Sequence, residues 1–270
     1  MGGIIEVNDL EKTFIPDKAA QKIEAIGGIS LSIKKGEFLS VVGPSGCGKS
    51  TLLNIIAGFE FPSKGKVTYL GEEIKGPGCE RGVCFQEYAL FPWKTVMGNI
   101  EFGLKAKGLP AKDRTGIACY FIELVGLKGF EDKFPHELSG GMRQRCALAR
   151  TFANNPDILI MDEPLAAVDA QTRNILQEEL LNIWGQEKKR EERKTVVYVT
   201  HSIEESVFLS DRVVIITARP GKIKMIVEIN LPRPRKDETR GTEQFAELSL
   251  KIWSSLKTEI LKTQRDQFAT

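Results

Sequence analysis

Residues 38–57 read FLSVVGPSGCGKSTLLNIIA, and this stretch decides the fold. Its first five residues, Phe38–Val42, form a nearly continuous apolar run, which is typical of a strand buried on both faces. A glycine-rich turn follows, and the apolar spacing from Leu52 to Ala57 then indicates a helix. The stretch therefore predicts a buried strand that passes through a tight turn directly into a helix.

Strand-like and helical runs alternate again in the second half of the chain. In order they are Ile158–Met161, Ala170–Trp184, Val196–Val199, Ser202–Leu209 and Arg212–Thr217. Such alternation implies a mainly parallel sheet covered by helices on both faces. Period-two alternation between Ile5 and Ile33 predicts an N-terminal antiparallel β subdomain. The helical texture of 96–153 predicts a helical insertion into the α/β core. The interleaved opposite charges of 186–194 predict the solvated end of a helix, with a nucleic-acid patch as the alternative.

Composition excludes several classes of protein. The 270 residues carry 38 basic and 36 acidic side chains, and 41% of them are hydrophobic, which argues against a disordered or disulfide-stapled chain. The net charge of +2 gives no global reason to bind nucleic acid. No apolar run approaches the roughly 18 residues of a membrane-spanning helix, and the N-terminus lacks the pattern of a secretory signal. Five cysteines without metal-type spacing suggest reduced thiols in the cytoplasm.

The glycine-rich turn Gly43–Ser50 fits the pattern G-x-x-x-x-G-K-[ST]. Backbone N–H groups of such a turn surround a phosphate at the positive end of the following helix. Lys49 can reach the β- and γ-phosphates, and the Ser50 hydroxyl can bind Mg²⁺. A chance glycine-rich turn is the alternative, but the position between a buried strand and a helix favours phosphate binding. The predicted phosphate-binding residues are Gly43, Pro44, Ser45, Gly46, Cys47, Gly48, Lys49, Ser50 and Thr51.

Two acids end the apolar run that starts at Ile158. Asp162 can hold Mg²⁺ beside a phosphate, and Glu163 can orient or deprotonate an attacking water. The alternative is a pair of acids that merely ends a strand before Pro164. With a phosphate loop in the same chain, the pair of acids fits a kinase, a GTPase, a helicase or a transport ATPase.

Residues 138–145 read LSGGMRQR, and here the chain resembles the ATP-binding cassette ATPases, whose signature is Leu-Ser-Gly-Gly-x-x-x-Arg. Ser139, Gly140 and Gly141 would form a second anion-binding helix N-terminus. The resemblance implies an ATPase with an ABC-type P-loop fold and ATP and Mg²⁺ as cofactors. It also implies a head-to-tail homodimer, or a pair with a similar ATPase, in which each ATP lies between one phosphate loop and the other subunit's signature.

The resemblance assigns roles to four more residues. Gln86 would sense Mg²⁺ and the attacking water, and His201 would contact the γ-phosphate. Asp169 ends Leu165–Asp169, which resembles the family's D-loop, although Ala166 and Val168 depart from its usual residues. Phe14 would stack on adenine, with packing in the core as the alternative.

Segments outside these motifs resemble the importer ATPases for nitrate, sulfonate, taurine and related small anions. They are 76–86, 90–93, 218–223 and 231–235. The resemblance implies partner permease subunits in the membrane, an indirect link to a solute-binding protein, no nucleic acid, and a cytoplasmic position on the inner face of the cell membrane. An exporter or lipid-extraction ATPase is an alternative with the same catalytic core, and a non-transport member of the superfamily is a further one. The expected domains are an ATPase domain over 1–240, with a helical subdomain at about 87–153, and a helical tail over 241–270.

Three aromatic residues follow Gln86 closely. Tyr88, Phe91 and Trp93 either line a groove that receives a cytoplasmic helix of a membrane subunit or pack inside the helical subdomain.

Overall fold

A computed structural model describes residues 3–15 and 22–268. The chain divides into a first unit, Met1–Gly78 with Trp184–Thr270, and a second unit, Cys79–Ile183. Within the described ranges, no helix is long and apolar enough to cross a membrane.

An antiparallel sheet forms one layer of the first unit. Its strands are β1 (Ile5–Phe14), β2 (Ile23–Ile33), β4 (Lys64–Tyr69) and β5 (Glu72–Glu73), in the order β2-β1-β4-β5. Ile5 pairs with Ile33, and both side chains are fully buried. The predicted N-terminal antiparallel subdomain is confirmed.

The second sheet of this unit has a parallel centre. It contains β3 (Phe38–Val42), β8 (Thr195–Val199), β9 (Arg212–Ile216) and β10 (Ile223–Glu228), in the order β10-β9-β3-β8. Strand β3 pairs in parallel with both β8 and β9, and every residue of β3 and β8 is buried.

Three α-helices accompany these two sheets. They are α1 (Lys49–Ala57), α6 (Ile203–Leu209) and α7 (Glu243–Phe268). Helix α6 packs on β3, and α7 packs on β9. The helix predicted for the C-terminal tail is thus present, whereas the division of the chain at 240 stays a prediction.

The second unit is mainly helical. It contains the parallel pair β6 (Arg81–Cys84) and β7 (Ile158–Asp162) with α2 (Val96–Ala106), α3 (Ala111–Leu124), α4 (Gly140–Ala153) and α5 (Ala170–Trp184). Helices α2, α3 and α4 pack against one another around buried residues such as Ile100, Ile122 and Leu148. The predicted α/β class with a helical region is thus confirmed, and α5 has the predicted bounds.

The charged run 186–194, predicted as the solvated end of a helix, is a loop with one short 3₁₀ turn instead. Gly185 adopts a φ of 96°, a left-handed conformation that ends α5. Arg193 then folds back, with its guanidinium carbon 4.7 Å from the centre of the Trp184 ring. This cation–π contact, together with the burial of Gln186, replaces the continued helix.

Candidate functional site

The carboxyl ends of β3, β8 and β9 define one edge of the first unit's parallel sheet. Val42 is paired with Ile215, and Val41 with Val199, so the three strands end at the same level. The segments that follow them are the phosphate loop 43–48, the His201 segment and the turn 217–222. Ligands of open α/β sheets bind at this edge.

Close packing and backbone conformation account for the glycines of the phosphate loop. A Cβ on Gly43 would lie 2.8 Å from the Cys47 sulfur, and one on Gly48 would lie 2.7 Å from the carbonyl oxygen of Ala25. Gly46 and Gly48 also have φ values of 74° and 97°, which favour glycine. The loop therefore has the tight turn that its sequence predicts.

Lys49 is buried at the first position of α1, with only 5% of its surface exposed. Its Nζ donates hydrogen bonds to the carbonyl oxygens of Gly43 and Pro44, each at 2.9 Å. The ammonium group thus lies against the backbone of the loop, where it can neutralise a bound phosphate. Ser50 and Thr51 follow it in the first turn of α1.

A second cation, Arg219, holds the outer side of the loop. Its Nε and Nη2 donate to the Gly46 carbonyl oxygen at 3.1 and 3.0 Å. The neighbouring Ala218 N–H donates to the buried Glu259 carboxylate of α7 at 3.1 Å, and Lys224 pairs with the same carboxylate at 2.8 Å. The phosphate loop is therefore connected to the C-terminal helix through one turn.

The His201 segment is held in place by the buried carboxylate of Glu205. Tyr198 and Thr200 donate their hydroxyl protons to Glu205 Oε2 at 3.1 and 2.6 Å. The Ser202 N–H in turn donates to the Thr200 hydroxyl at 3.0 Å. His201 itself is exposed between these anchored neighbours, so a ligand can reach its imidazole from solvent.

Phe14 ends β1 and is 37% exposed, with Lys12 Nζ 4.9 Å from the centre of its ring. Its ring is therefore outside the core, against the packing alternative. Its contact with adenine stays a prediction.

In the second unit, the carboxyl ends of β6 and β7 also lie level, because Cys84 pairs with Met161. Gln86 and Asp162 follow these positions. Asp162 Oδ1 is buried without a hydrogen-bond partner among the described residues. A buried carboxylate oxygen of this kind requires a proton donor, a water or a cation, so the site fits Mg²⁺.

Glu163 has a φ of 48°, which is unusual for a residue with a side chain. Strained residues of this kind often occur at active sites. The second unit also contains a cleft of about 650 Å³. The lining residues are Gln86, Glu87, Tyr88, Gln144, Ala166 and Ala167.

The signature segment forms the N-terminus of α4. The Ser139 hydroxyl accepts a hydrogen bond from the Met142 N–H at 3.3 Å, and Gly140 and Gly141 make the first turn. The exposed N–H groups and the helix dipole of such an end attract anions. The structure thus contains the second helix end that the sequence predicts.

Asp169 has a structural role in addition to the predicted one. Its Oδ1 accepts the Thr172 N–H at 2.9 Å at the start of α5. This backbone hydrogen bond lowers the pKa of the carboxyl group. The contribution of Asp169 to nucleotide binding stays a prediction.

The three aromatics after Gln86 have different surroundings in the structure. Phe91 packs on Phe102 with 4.5 Å between ring centres, and the Tyr88 ring lies 5.5 Å from the guanidinium of Arg143. Trp93, in contrast, is 71% exposed. Packing accounts for Phe91 and Tyr88, and Trp93 presents a large aromatic surface to solvent.

Sequence patterns assign no role to Gln144, Glu205 or Arg219, although each makes contacts that shape the site. The available signal for Gln144 is its helical spacing from Ala147 and Leu148, which makes it a polar residue within an otherwise apolar stripe. Arg219 gives no comparable signal because its partner, Gly46, is distant in sequence. Glu205 gives none because its partners, Tyr198 and Thr200, lie in and directly after β8 rather than on its own helix.

Comparison with known proteins agrees with these motifs. The family description "ABC transporter" matches residues 26–166. The chain belongs to the ABC transporter ATPases. An uncharacterized ABC transporter ATP-binding protein of Methanocaldococcus jannaschii is 55% identical over 259 residues, which are 96% of this chain and 93% of the relative.

Two relatives of this ABC ATPase have names that state a transport function. A nitrate import ATP-binding protein of Synechocystis is 43% identical, covering 84% of this chain and 83% of the relative. An aliphatic sulfonates import ATP-binding protein of Bacillus cereus is also 43% identical, covering 92% of this chain and 94% of the relative. A dimeric ATP-binding cassette, solved in a post-hydrolysis state with ADP and Pi, has a TM-score of 0.74 and 31% identity. That match covers 84% of this chain and 99% of the other.

Proposed function

We propose that this ABC ATPase is the ATP-hydrolysing subunit of a multi-subunit importer for a small anion of the nitrate, sulfonate or taurine type. The observation that carries the proposal is the pair of anion-binding helix ends, at α1 and at the Ser139-capped start of α4. A single phosphate loop serves many nucleotide hydrolases, whereas the second helix end is characteristic of the cassette ATPases. The importer and anion assignments are supported by the names of the relatives.

The proposed roles follow from the chemistry of each side chain. Lys49 would neutralise phosphate charge. Ser50, Gln86 and Asp162 are the proposed oxygen ligands of Mg²⁺, and Glu163 is the proposed general base. His201 and Gln86 position the γ-phosphate and the attacking water. Mg²⁺ supplies charge neutralisation at the phosphates. The buried Asp162 oxygen, which has no partner among the described residues, supports its role as a ligand.

A head-to-tail dimer would give each nucleotide both kinds of anion-binding site. ATP binding would close the dimer, and hydrolysis would reopen it. The dimeric state of the solved cassette with ADP and Pi supports this arrangement.

Coupling to transport requires a membrane partner. We assign the exposed Trp93 to the docking of a permease subunit, with the ATPase on the cytoplasmic face of the membrane and a solute-binding protein as an indirect partner. Because Trp93 is exposed and its ring lies 5.7 Å from that of Phe91, which packs on Phe102, it offers an apolar surface for a partner.

The test of the catalytic assignment is Glu163→Gln. We expect retained ATP binding, loss of turnover and an ATP-stabilised dimer in size-exclusion chromatography. A matched control is Glu123→Gln, which changes an exposed carboxylate of α3 paired with Lys128. Normal turnover of Glu163→Gln would reject Glu163 as the base.

The importer assignment is tested by purifying the tagged chain from membranes of its host. An integral membrane subunit together with a solute-binding protein is the expected result. A membrane subunit whose transport runs outwards, without a binding protein, would indicate an exporter.

A further inference from the structure

Gln144 connects helix α4, which carries the signature, to both ends of the turn Glu163–Ala167. This turn, the D-loop turn, overlaps the D-loop-like segment Leu165–Asp169. The Gln144 amide lies on α4 with only 1% of the residue exposed. Nε2 donates to the carbonyl oxygen of Glu163 at 2.9 Å, and Oε1 accepts the Ala167 N–H at 2.7 Å. One buried side chain therefore satisfies a backbone acceptor at the start of the turn and a donor at its end.

The first residue of this turn is strained. Glu163 has a φ of 48°, a left-handed conformation that is unfavourable for a residue with a Cβ. The Ala166 N–H also donates to the Glu163 carbonyl oxygen, at 3.2 Å. Without the Gln144 amide, this carbonyl loses one of these two hydrogen bonds, and a φ in the ordinary region becomes more favourable for Glu163. Because the side chain leaves the backbone at the same Cα, such a change would redirect the carboxylate.

The signature segment contacts the same turn at a second point. A Cβ on Gly141 would lie 3.0 Å from the carbonyl oxygen of Ala167, closer than such contacts normally are. Gly141 and Gln144 thus place the first turn of α4 directly against Ala167. A displacement of the signature segment would therefore change the hydrogen bonds of both Ala167 and Glu163.

We infer that Gln144 is a positioning residue for ATP hydrolysis. It sets the direction of the Glu163 carboxylate and makes that direction depend on the position of the Ser139–Gly141 segment. The inference rests on the proposed role of Glu163 as the base. Both polar atoms of the Gln144 amide are bonded to the turn, so we expect its loss to affect the chemical step and to leave nucleotide binding intact.

The test compares Gln144→Ala with Cys146→Ala in the full-length chain. Cys146 is a fully buried free thiol on the same helix, and its truncation removes packing while leaving both Gln144 hydrogen bonds in place. For Gln144→Ala we expect kcat to fall by about 10- to 100-fold, as for a misplaced catalytic group, with KM for ATP within about twofold of wild type. For Cys146→Ala we expect both constants to stay near wild type.

Gln144→Glu is the second variant and keeps the size of the side chain. An ionised carboxylate accepts the Ala167 N–H but has no proton to donate to the Glu163 carbonyl. We therefore expect the same selective loss of kcat at neutral pH, even if Gln144→Ala fails to fold. At lower pH, where the new carboxyl group gains a proton, we expect the kcat of Gln144→Glu to recover partly relative to that of wild type at the same pH.

The outcomes separate the inference from the proposed function. A folded Gln144→Glu with wild-type kcat would overturn the inference while Glu163→Gln remained inactive. An equal fall of kcat in Cys146→Ala would also overturn it, because packing alone would then explain the effect. Turnover by Glu163→Gln would instead reject the base itself.

Discussion

Arg219 offers a quantitative test of how the phosphate loop is held. In a trans peptide unit the C=O and the following N–H point in opposite directions, so the guanidinium on the Gly46 carbonyl also orients the Cys47 N–H. That N–H is then directed away from Arg219. Arg219→Ala should therefore weaken nucleotide binding by disordering a phosphate donor.

The size of the effect follows from the contact. Arg219 makes two hydrogen bonds to one oxygen, at 3.1 and 3.0 Å, but in an exposed setting. The net value of hydrogen bonds in such a setting is about 1 kcal/mol. This corresponds to an increase of about fivefold in the Kd for ATP.

The assay is competition of ATP against a fluorescent analogue, at fixed ionic strength, for Arg219→Ala and Lys222→Ala. Lys222 lies on the same turn, but the turn uses its backbone N–H and C=O, which the substitution keeps. We expect a raised Kd in Arg219→Ala alone. Equal Kd values for Arg219→Ala and wild type would refute a role of Arg219 in orienting the Cys47 N–H. Equal increases of the Kd in both variants would show that lost positive surface charge alone explains the effect.

Three further outcomes are expected. Burial raises the pKa values of the Cys84 and Cys146 thiols to about 12 each, so both stay protonated at pH 8. We expect them to react with iodoacetamide far more slowly than the exposed Cys119, as measured by peptide mass spectrometry. Equal rates would contradict this burial. Arg235→Met should lower the free energy of unfolding in urea by about 2–4 kcal/mol, because it leaves buried carbonyl groups at the end of α6 without a donor, and a loss below about 0.5 kcal/mol would contradict that role. Trp93→Ala should keep soluble ATPase activity and lose transport in the reconstituted complex, and equal losses of folding and ATPase activity would reject docking.

The elements that sequence predicts correctly are those whose evidence lies within a few neighbouring residues. Phe38–Val42 is apolar at every position but one, and this pattern alone indicates a strand buried on both faces. The phosphate loop is equally local, since its glycines and Lys49 lie within one turn. Helix α5 has its predicted bounds because its apolar spacing stops at Trp184, directly before Gly185.

The supporting contacts cannot be predicted in the same way. Gly46 and Arg219 are 173 positions apart in sequence, and Ala218 and Glu259 are 41 apart. Nothing in either segment alone indicates the partner. The prediction that 186–194 is the solvated end of a helix is wrong for a related reason. The contact of Arg193 with Trp184 forms only because the chain folds back after Gly185, and the charge pattern does not indicate this fold.

The signature glycine Gly141 has a packing constraint in addition to its predicted role in anion binding. The sequence explains Gly141 by anion binding, but the structure adds a packing reason, because a Cβ there would lie 3.0 Å from the Ala167 oxygen. Gly141→Ala would therefore disturb the D-loop turn even in the absence of nucleotide. Ser139 allows a simpler test, because its side chain caps an exposed helix end at 3.3 Å and Ser139→Ala adds no atom next to Ala167. A loss of ATP-driven dimerisation in Ser139→Ala would consequently report on the capped end of α4 that is predicted to bind an anion, whereas the same loss in Gly141→Ala would combine that effect with a direct clash against Ala167.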